Sequence, residues 1–164
     1  MKIEITTDME LVKKFLTQDD ELWFRITEDF SHKDDFNPIS ASGIYWIKVS
    51  NNQDELMAIM YIHQSTTACY NFHVNILKKY RSTYGKKILL SWLDWYINDF
   101  KDAKHKLILE IPDCFRYLCL YSEMFGFKYE GTNRECYLKN GQLMDRHLMG
   151  ATVTEIKRLF EEKH

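Results

Sequence analysis

Two short stretches of this chain hold residue types that can do chemistry at a spacing that matters. The first, Tyr80-Arg81-Ser82-Thr83-Tyr84-Gly85-Lys86-Lys87, lies where a period-two apolar pattern gives way to a helical one. A strand-to-helix turn presents unbonded backbone N–H groups and the positive end of a helix dipole. It therefore suits a pyrophosphate, and Arg81, Lys86 and Lys87 add positive charge. The same residues also read as an ordinary helix N-terminus with solvated lysines. The second stretch, Leu120-Tyr121-Ser122-Glu123-Met124-Phe125-Gly126-Phe127, closes a helix against a strand. Gly126 terminates the helix and Phe127 is the first core residue of the strand. Tyr121 sits within reach of that helix end, where a phenol can donate a proton into a neighbouring cleft. A buried tyrosine holding one hydrogen bond is the plainer reading of the same position.

Other chemistries lack support. The four cysteines, Cys69, Cys114, Cys119 and Cys136, have neither zinc-site spacing nor the density of a secreted scaffold, and they read as reduced thiols of a cytoplasmic protein. His32, His147 and His164 show no metal-ligand spacing, so no metal is expected. No Gly-x-Ser-x-Gly turn occurs, and no cysteine stands in an activated context.

The elements that must position the two stretches follow from periodicity. Lys2–Thr6 alternates as a half-buried strand, and Thr7-Asp8-Met9-Glu10 has the form of a capping box ahead of Leu11, Val12, Phe15 and Leu16. A second helix is predicted from about Gln18 to Glu28, and a loop over Ser31–Ser42. Gly43–Val49 and Glu55–His63 flank turn chemistry and should form a hairpin. In the strand Ala68–Leu77, Tyr70, Phe72, Val74 and Ile76 share one face; Cys69, Asn71, His73 and Asn75 share the other, a polar face that suits a cleft. A long helix from Ser82 to near Phe100 carries Ile88, Leu89, Trp92, Leu93, Tyr96 and Ile97 as its stripe. Then come a strand Lys106–Ile111, a helix opened by Pro112-Asp113, strands Phe127–Glu130 and Arg134–Leu138, and Leu143–Met149 continuing the sheet. A last helix Thr152–Lys163 is capped by Thr152 with Glu155. The order predicts an α/β fold, a mixed sheet flanked by helices.

Bulk numbers agree with one domain. The chain has 164 residues, 45% of them hydrophobic and 15% aromatic, with a net charge of -2. That length buries a self-sufficient core, and near-neutral charge gives no footprint for a nucleic-acid binder. The longest apolar runs fall well short of the roughly 18 residues that cross a bilayer, and no signal-peptide core is present, so no membrane association is expected. The 10 Tyr, 10 Phe and 4 Trp exceed the plain needs of a core this size. Excess rings can fill a cleft or face a protein partner or a second copy.

In order and separation, the two stretches resemble the motifs of the GCN5-related N-acetyltransferase family. There a strand leads into R-x-x-G-x-G/A, whose amides hold the coenzyme A pyrophosphate, and a later helix ends in L-Y-x-x-x-G-F, whose tyrosine protonates the departing thiolate. Arg81 takes the arginine position, and Leu120, Tyr121, Gly126 and Phe127 match the second motif. Tyr129-Glu130-Gly131 and Gly141 to Met149 look like the family's closing strands. Ungapped from Arg81, however, Tyr84 and Lys86 occupy the small-residue positions, with Gly85 between them, and Cys114 stands where an asparagine is common.

The resemblance implies a mostly antiparallel sheet that splays after its third core strand, and transfer of acetyl from acetyl-coenzyme A to an amine. Backbone near Ile76 would position the thioester, Arg81, Thr83, Tyr84, Gly85 and Lys86 the pyrophosphate, and Tyr121 would be the acid. A base must take the ammonium proton, and His73 and Glu110 are its candidates; a packed strand histidine and an exposed carboxylate are their plainer readings. The acceptor, a small-molecule or protein amine, would be shaped by the segment Phe30 to Ser42 with the strands near the C-terminus; Asp29, Asp34 and Asp35 suit a cation, and a solvated acidic loop is their plainer reading. A different class stays open. Small acetyltransferase-like proteins encoded among the virion-assembly genes of tailed phages are similar in size and in altered phosphate loops, and use the fold as a non-catalytic building block.

Overall fold

A computed structural model describes residues 1–162. Lys163, the expected last residue of the closing helix, and His164 lie outside the described residues. Seven strands and five α-helices follow one another as β1 (Lys2–Thr6), α1 (Met9–Thr17), α2 (Asp20–Ile26), β2 (Ile44–Ser50), β3 (Leu56–Thr66), β4 (Cys69–Ile76), α3 (Lys78–Asn98), β5 (Lys106–Pro112), α4 (Tyr117–Glu123), β6 (Lys128–Lys139), β7 (Gln142–Thr152) and α5 (Val153–Glu161). One sheet has the order β1-β2-β3-β4-β5-β7-β6. β4 and β5 are parallel, and β1–β2, β2–β3, β5–β7 and β6–β7 are antiparallel. The parallel pairing runs over Cys69–Asn71 against Lys106–Ile108.

By contact the chain forms two compact units, Met1–His63 with His73–Trp92, and Gln64–Phe72 with Leu93 onward. In the first, Trp46 and Ile59 from one sheet face pack with Val12, Phe15, Leu16 and Leu22 of α1 and α2. Each such side chain contributes about 1.5–3 kcal/mol on burial. The odd-numbered residues Ile47 and Val49 and their partners Met60 and Ala58 point to the other face and are also fully buried. In the second unit, Leu107, Ile111, Met149 and Ala151 share one face of β5 and β7 and are buried. The surplus rings of the α3 end are consumed there: Phe100 lies between Trp95, Tyr96 and Tyr70 at centroid distances of 5.2, 5.7 and 6.3 Å. The buried Tyr96 hydroxyl is satisfied by both the N–H and the carbonyl of Lys104.

Several boundaries differ from the sequence reading: the helix expected from Pro112-Asp113 is a 3-10 turn over Asp113–Phe115 before α4, and β3 and β7 run longer than expected. The first helix is capped by Asp8, whose carboxylate accepts from the Leu11 N–H, so the Thr7-based box is not used. Aspartate caps as well as threonine, and here it sits one residue nearer the apolar stripe. Lys128–Lys139 is one bulged strand where two were expected. Most consequentially, α3 begins at Lys78, not Ser82.

Candidate active site

That early helix start changes the first chemical stretch. Lys78, Lys79, Tyr80 and Arg81 are good or acceptable helix formers, and nothing among them interrupts the helix. Gly85 is absent from the glycines with positive φ and is an ordinary helical residue. The expected strand-to-helix turn over Tyr80–Lys87 is therefore helix throughout, and Thr83, Tyr84, Gly85 and Lys86 have their N–H groups directed to carbonyls four residues back. The first-turn N–H groups that lack such carbonyls belong to Lys78 and Lys79, directly after Ile76 and Leu77. Tyr80 N–H already bonds the Leu77 carbonyl at 2.9 Å.

Arg81 is engaged on two sides. Its Nε donates to the Ile76 carbonyl at 2.8 Å, and Nη1 pairs with Glu21 Oε1 at 2.5 Å. Glu21 also takes Arg25 Nε at 2.7 Å, and these cations hold its carboxyl below the usual range, Arg81 most strongly. Sequence offered no signal for Glu21, because it lies on α2, 60 residues before its partner. Beside the same helical turns, Tyr80 is buried, with Tyr84 edge-on to it at 6.1 Å and 41% exposed. A cavity of about 330 Å³ is lined there by Tyr80, Tyr84, Lys87, Asn51 and Glu55.

His73 is exposed on β4, on the polar face of that strand. Its ring lies 5.1 Å from Tyr61 and 5.4 Å from His63, and Tyr61 stacks on Trp46 at 4.1 Å. Two imidazoles therefore face one another over an aromatic floor. His63 closes the strand predicted over Glu55–His63, and its spacing of two from Tyr61 is the sequence signal that both share a face.

Tyr121 and Glu110 belong to the second unit. Tyr121 lies in α4, half-buried, edge-on to the buried Phe125 at 5.1 Å. Burial pushes its phenol above the ordinary value. Gly126, at φ +85°, ends the segment as expected, with α5 behind it. Glu110 is not the exposed carboxylate of its plainer reading. Its Oε2 pairs with Arg146 Nη1 at 2.7 Å, and its Oε1 accepts from Asn71 Nδ2 at 3.4 Å.

No protein-family model and no curated protein sequence matches the chain. Solved structures do. A spermidine N-acetyltransferase SpeG chimera from Vibrio cholerae and hSSAT superposes with a TM-score of 0.76 at 15% identity, over 96% of this chain and 99% of the other. Spermidine N-acetyltransferase from Vibrio cholerae in complex with CoA and spermine gives 0.73 at 14% identity, over 94% and 98%. The fold is that of the GCN5-related N-acetyltransferases. A point mutant of SpeG from the same organism gives 0.74 at 13% identity, over 95% and 97%. At such identities the likeness is one of fold, and the side chains must be judged on their own chemistry. No helix of the described residues is long and apolar enough to cross a membrane.

The start of α3 is the place to test for coenzyme A. A helix of this length offers first-turn amides and a positive dipole end, and Lys78 and Lys79 bring ammonium groups beside them. This donor set suits a pyrophosphate, one turn upstream of Thr83–Lys86.

Proposed function

We propose that the protein transfers an acetyl group from acetyl-coenzyme A to an amine. The observation that carries this reading is Tyr121. It is a phenol in the matching helix, its hydroxyl makes no hydrogen bond among the described residues, and burial keeps it protonated. A proton donor at neutral pH needs those properties. The neighbour solved with CoA and spermine supports the substrate classes, a coenzyme A thioester and a cationic amine.

In this reading the amides of Lys78 and Lys79 hold the pyrophosphate and the backbone near Ile76 orients the thioester. Acetyl-coenzyme A, when bound, would supply the activated acyl carbon of its thioester. His73 takes the proton of the acceptor ammonium, its exposure letting that proton leave to water, and Glu110 balances Arg146. Tyr121 gives its proton to the departing sulfur. Tyr84 and Lys86, two residues apart on α3, are surface residues of that helix.

A second reading has its own observation. With Arg81 neutralised by Glu21 and the amides of Thr83–Lys86 consumed by the helix, the fold also suits a non-catalytic protein that binds a partner. Isothermal titration with acetyl-coenzyme A separates the two. Saturable heat at one site, followed by thiol release when spermine is added, supports the enzyme. No heat at millimolar cofactor removes the enzyme reading.

A further inference from the structure

A hydrogen-bonded chain in the second unit has no part in that reaction. His147 on β7 is buried, and its Nε2 lies 2.8 Å from Asp113 Oδ1, in the 3-10 turn Asp113–Phe115 that follows β5. Its Nδ1 lies 3.2 Å from Thr132 Oγ1 on the facing strand β6. Thr132 Oγ1 in turn lies 2.6 Å from the hydroxyl of Tyr129. The directions follow from chemistry. An ionised carboxylate only accepts, so Nε2 carries the imidazole proton and Nδ1 presents a lone pair. Thr132 then donates to Nδ1 and, with its own lone pairs, accepts from Tyr129. Each proton in the chain points inward, from an exposed phenol to a buried base backed by a carboxylate.

The backbone is shaped to make this chain. In an unbroken strand Tyr129 and Thr132, three residues apart, would point to opposite faces. β6 instead pairs Tyr129 with Met149, Gly131 with Leu148 and Thr132 with His147, so Glu130 is the extra residue of a bulge. Gly131 takes φ +150° there. The bulge turns Tyr129 onto the face of Thr132 and His147, which is what bulges near functional sites do. A buried histidine needs only Asp113 and Thr132 to be satisfied. The second hydroxyl, that of Tyr129, is left over by that structural role, and Tyr129 is an exposed residue, at 58%.

We propose that Tyr129 is an acylation site, a surface phenol that attacks activated acyl esters while its proton passes through Thr132 to His147. The new bond joins Tyr129 Oη to the acyl carbon. As it forms, the phenolic proton moves to Thr132 Oγ1 and the Thr132 proton moves to His147 Nδ1, giving an imidazolium paired with Asp113. The ester bond to the leaving oxygen breaks with its electron pair, and the imidazolium releases its proton to water. The product is an O-acyl tyrosine and a free alcohol or phenolate.

The test uses the full chain with p-nitrophenyl acetate, following nitrophenolate release and mapping acetylated residues by mass spectrometry. Tyr84 and Tyr117, 41% and 55% exposed, are internal controls. Tyr129 should acetylate about a hundredfold faster than either, the lower end of what general-base assistance contributes. His147→Gln and Thr132→Val should bring Tyr129 down to the control rate and leave Tyr84 and Tyr117 unchanged. Thr132→Ser keeps the hydroxyl and should keep the rate, which separates the relay from any loss of fold. Equal labelling of the three tyrosines in the native protein overturns the proposal. So does fast Tyr129 labelling that survives Thr132→Val.

Discussion

Replacing Glu155 with alanine removes a capping box and an ion pair at once. The carboxylate accepts from the Thr152 N–H at 2.9 Å and its hydroxyl at 3.1 Å, and pairs with Lys128 Nζ at 2.6 Å. Lys128 and the Thr152 backbone, in that order, hold its carboxyl down to about 2 from an ordinary 4.5. At ~1.4 kcal/mol for each tenfold in proton affinity, that difference is roughly 3.5 kcal/mol at most. Lys128 is 69% exposed, so water screens its arm. About 1–2 kcal/mol is the discounted value, close to the worth of a lost helix cap. The sign follows from the direction. The folded carboxyl binds its proton less readily than the unfolded one, so the stabilisation is full above about 4.5 and lost as pH falls toward about 2. Thermal melts should therefore place Glu155→Ala roughly 2–8 °C below the native protein near neutral pH. The gap should shrink steadily in melts taken at successively lower pH. A gap that stays constant down to about pH 3 would refute the assignment, because a neutral contact would then be responsible.

Three further outcomes are expected. Tyr121→Phe should lower kcat about a hundredfold with acetyl-coenzyme A affinity unchanged, since it removes a proton and little volume; equal turnover takes Tyr121 out of the acid role. Glu21→Gln frees the charge of Arg81 and should tighten acetyl-coenzyme A binding about fivefold by calorimetry, an effect of roughly 1 kcal/mol at a few ångströms' separation in a solvated site; weaker binding would contradict the placement of the phosphates beside α3. Gly126→Ala should cost about 1 kcal/mol by denaturant titration through its φ of +85° alone, because the new Cβ would meet the Glu155 carbonyl at an ordinary 3.5 Å. An unchanged midpoint would show that the turn relaxes.

The features legible in the amino-acid order are those that short stretches of chain decide locally. The period of two in Cys69–Ile76, the helical stripe through Trp92 and Tyr96, the Thr152–Glu155 capping box and the stop at Gly126 all depend on neighbours within a few residues, and all stand in the structure. From them the mixed, mostly antiparallel sheet and its likeness to the acetyltransferases followed. The remaining features rest on partners far apart in the chain. Arg81 looked like a free phosphate ligand until Glu21 closed on it from α2. Glu110, a candidate base in the sequence, meets Arg146 because the antiparallel register with β7 brings that cation to its carboxylate. His147 looked idle until a one-residue bulge in β6 and the turn after β5 set Thr132, Tyr129 and Asp113 around it. Ion pairs and bulges of this kind leave no periodic trace, because their geometry is set by which strands meet and in what register.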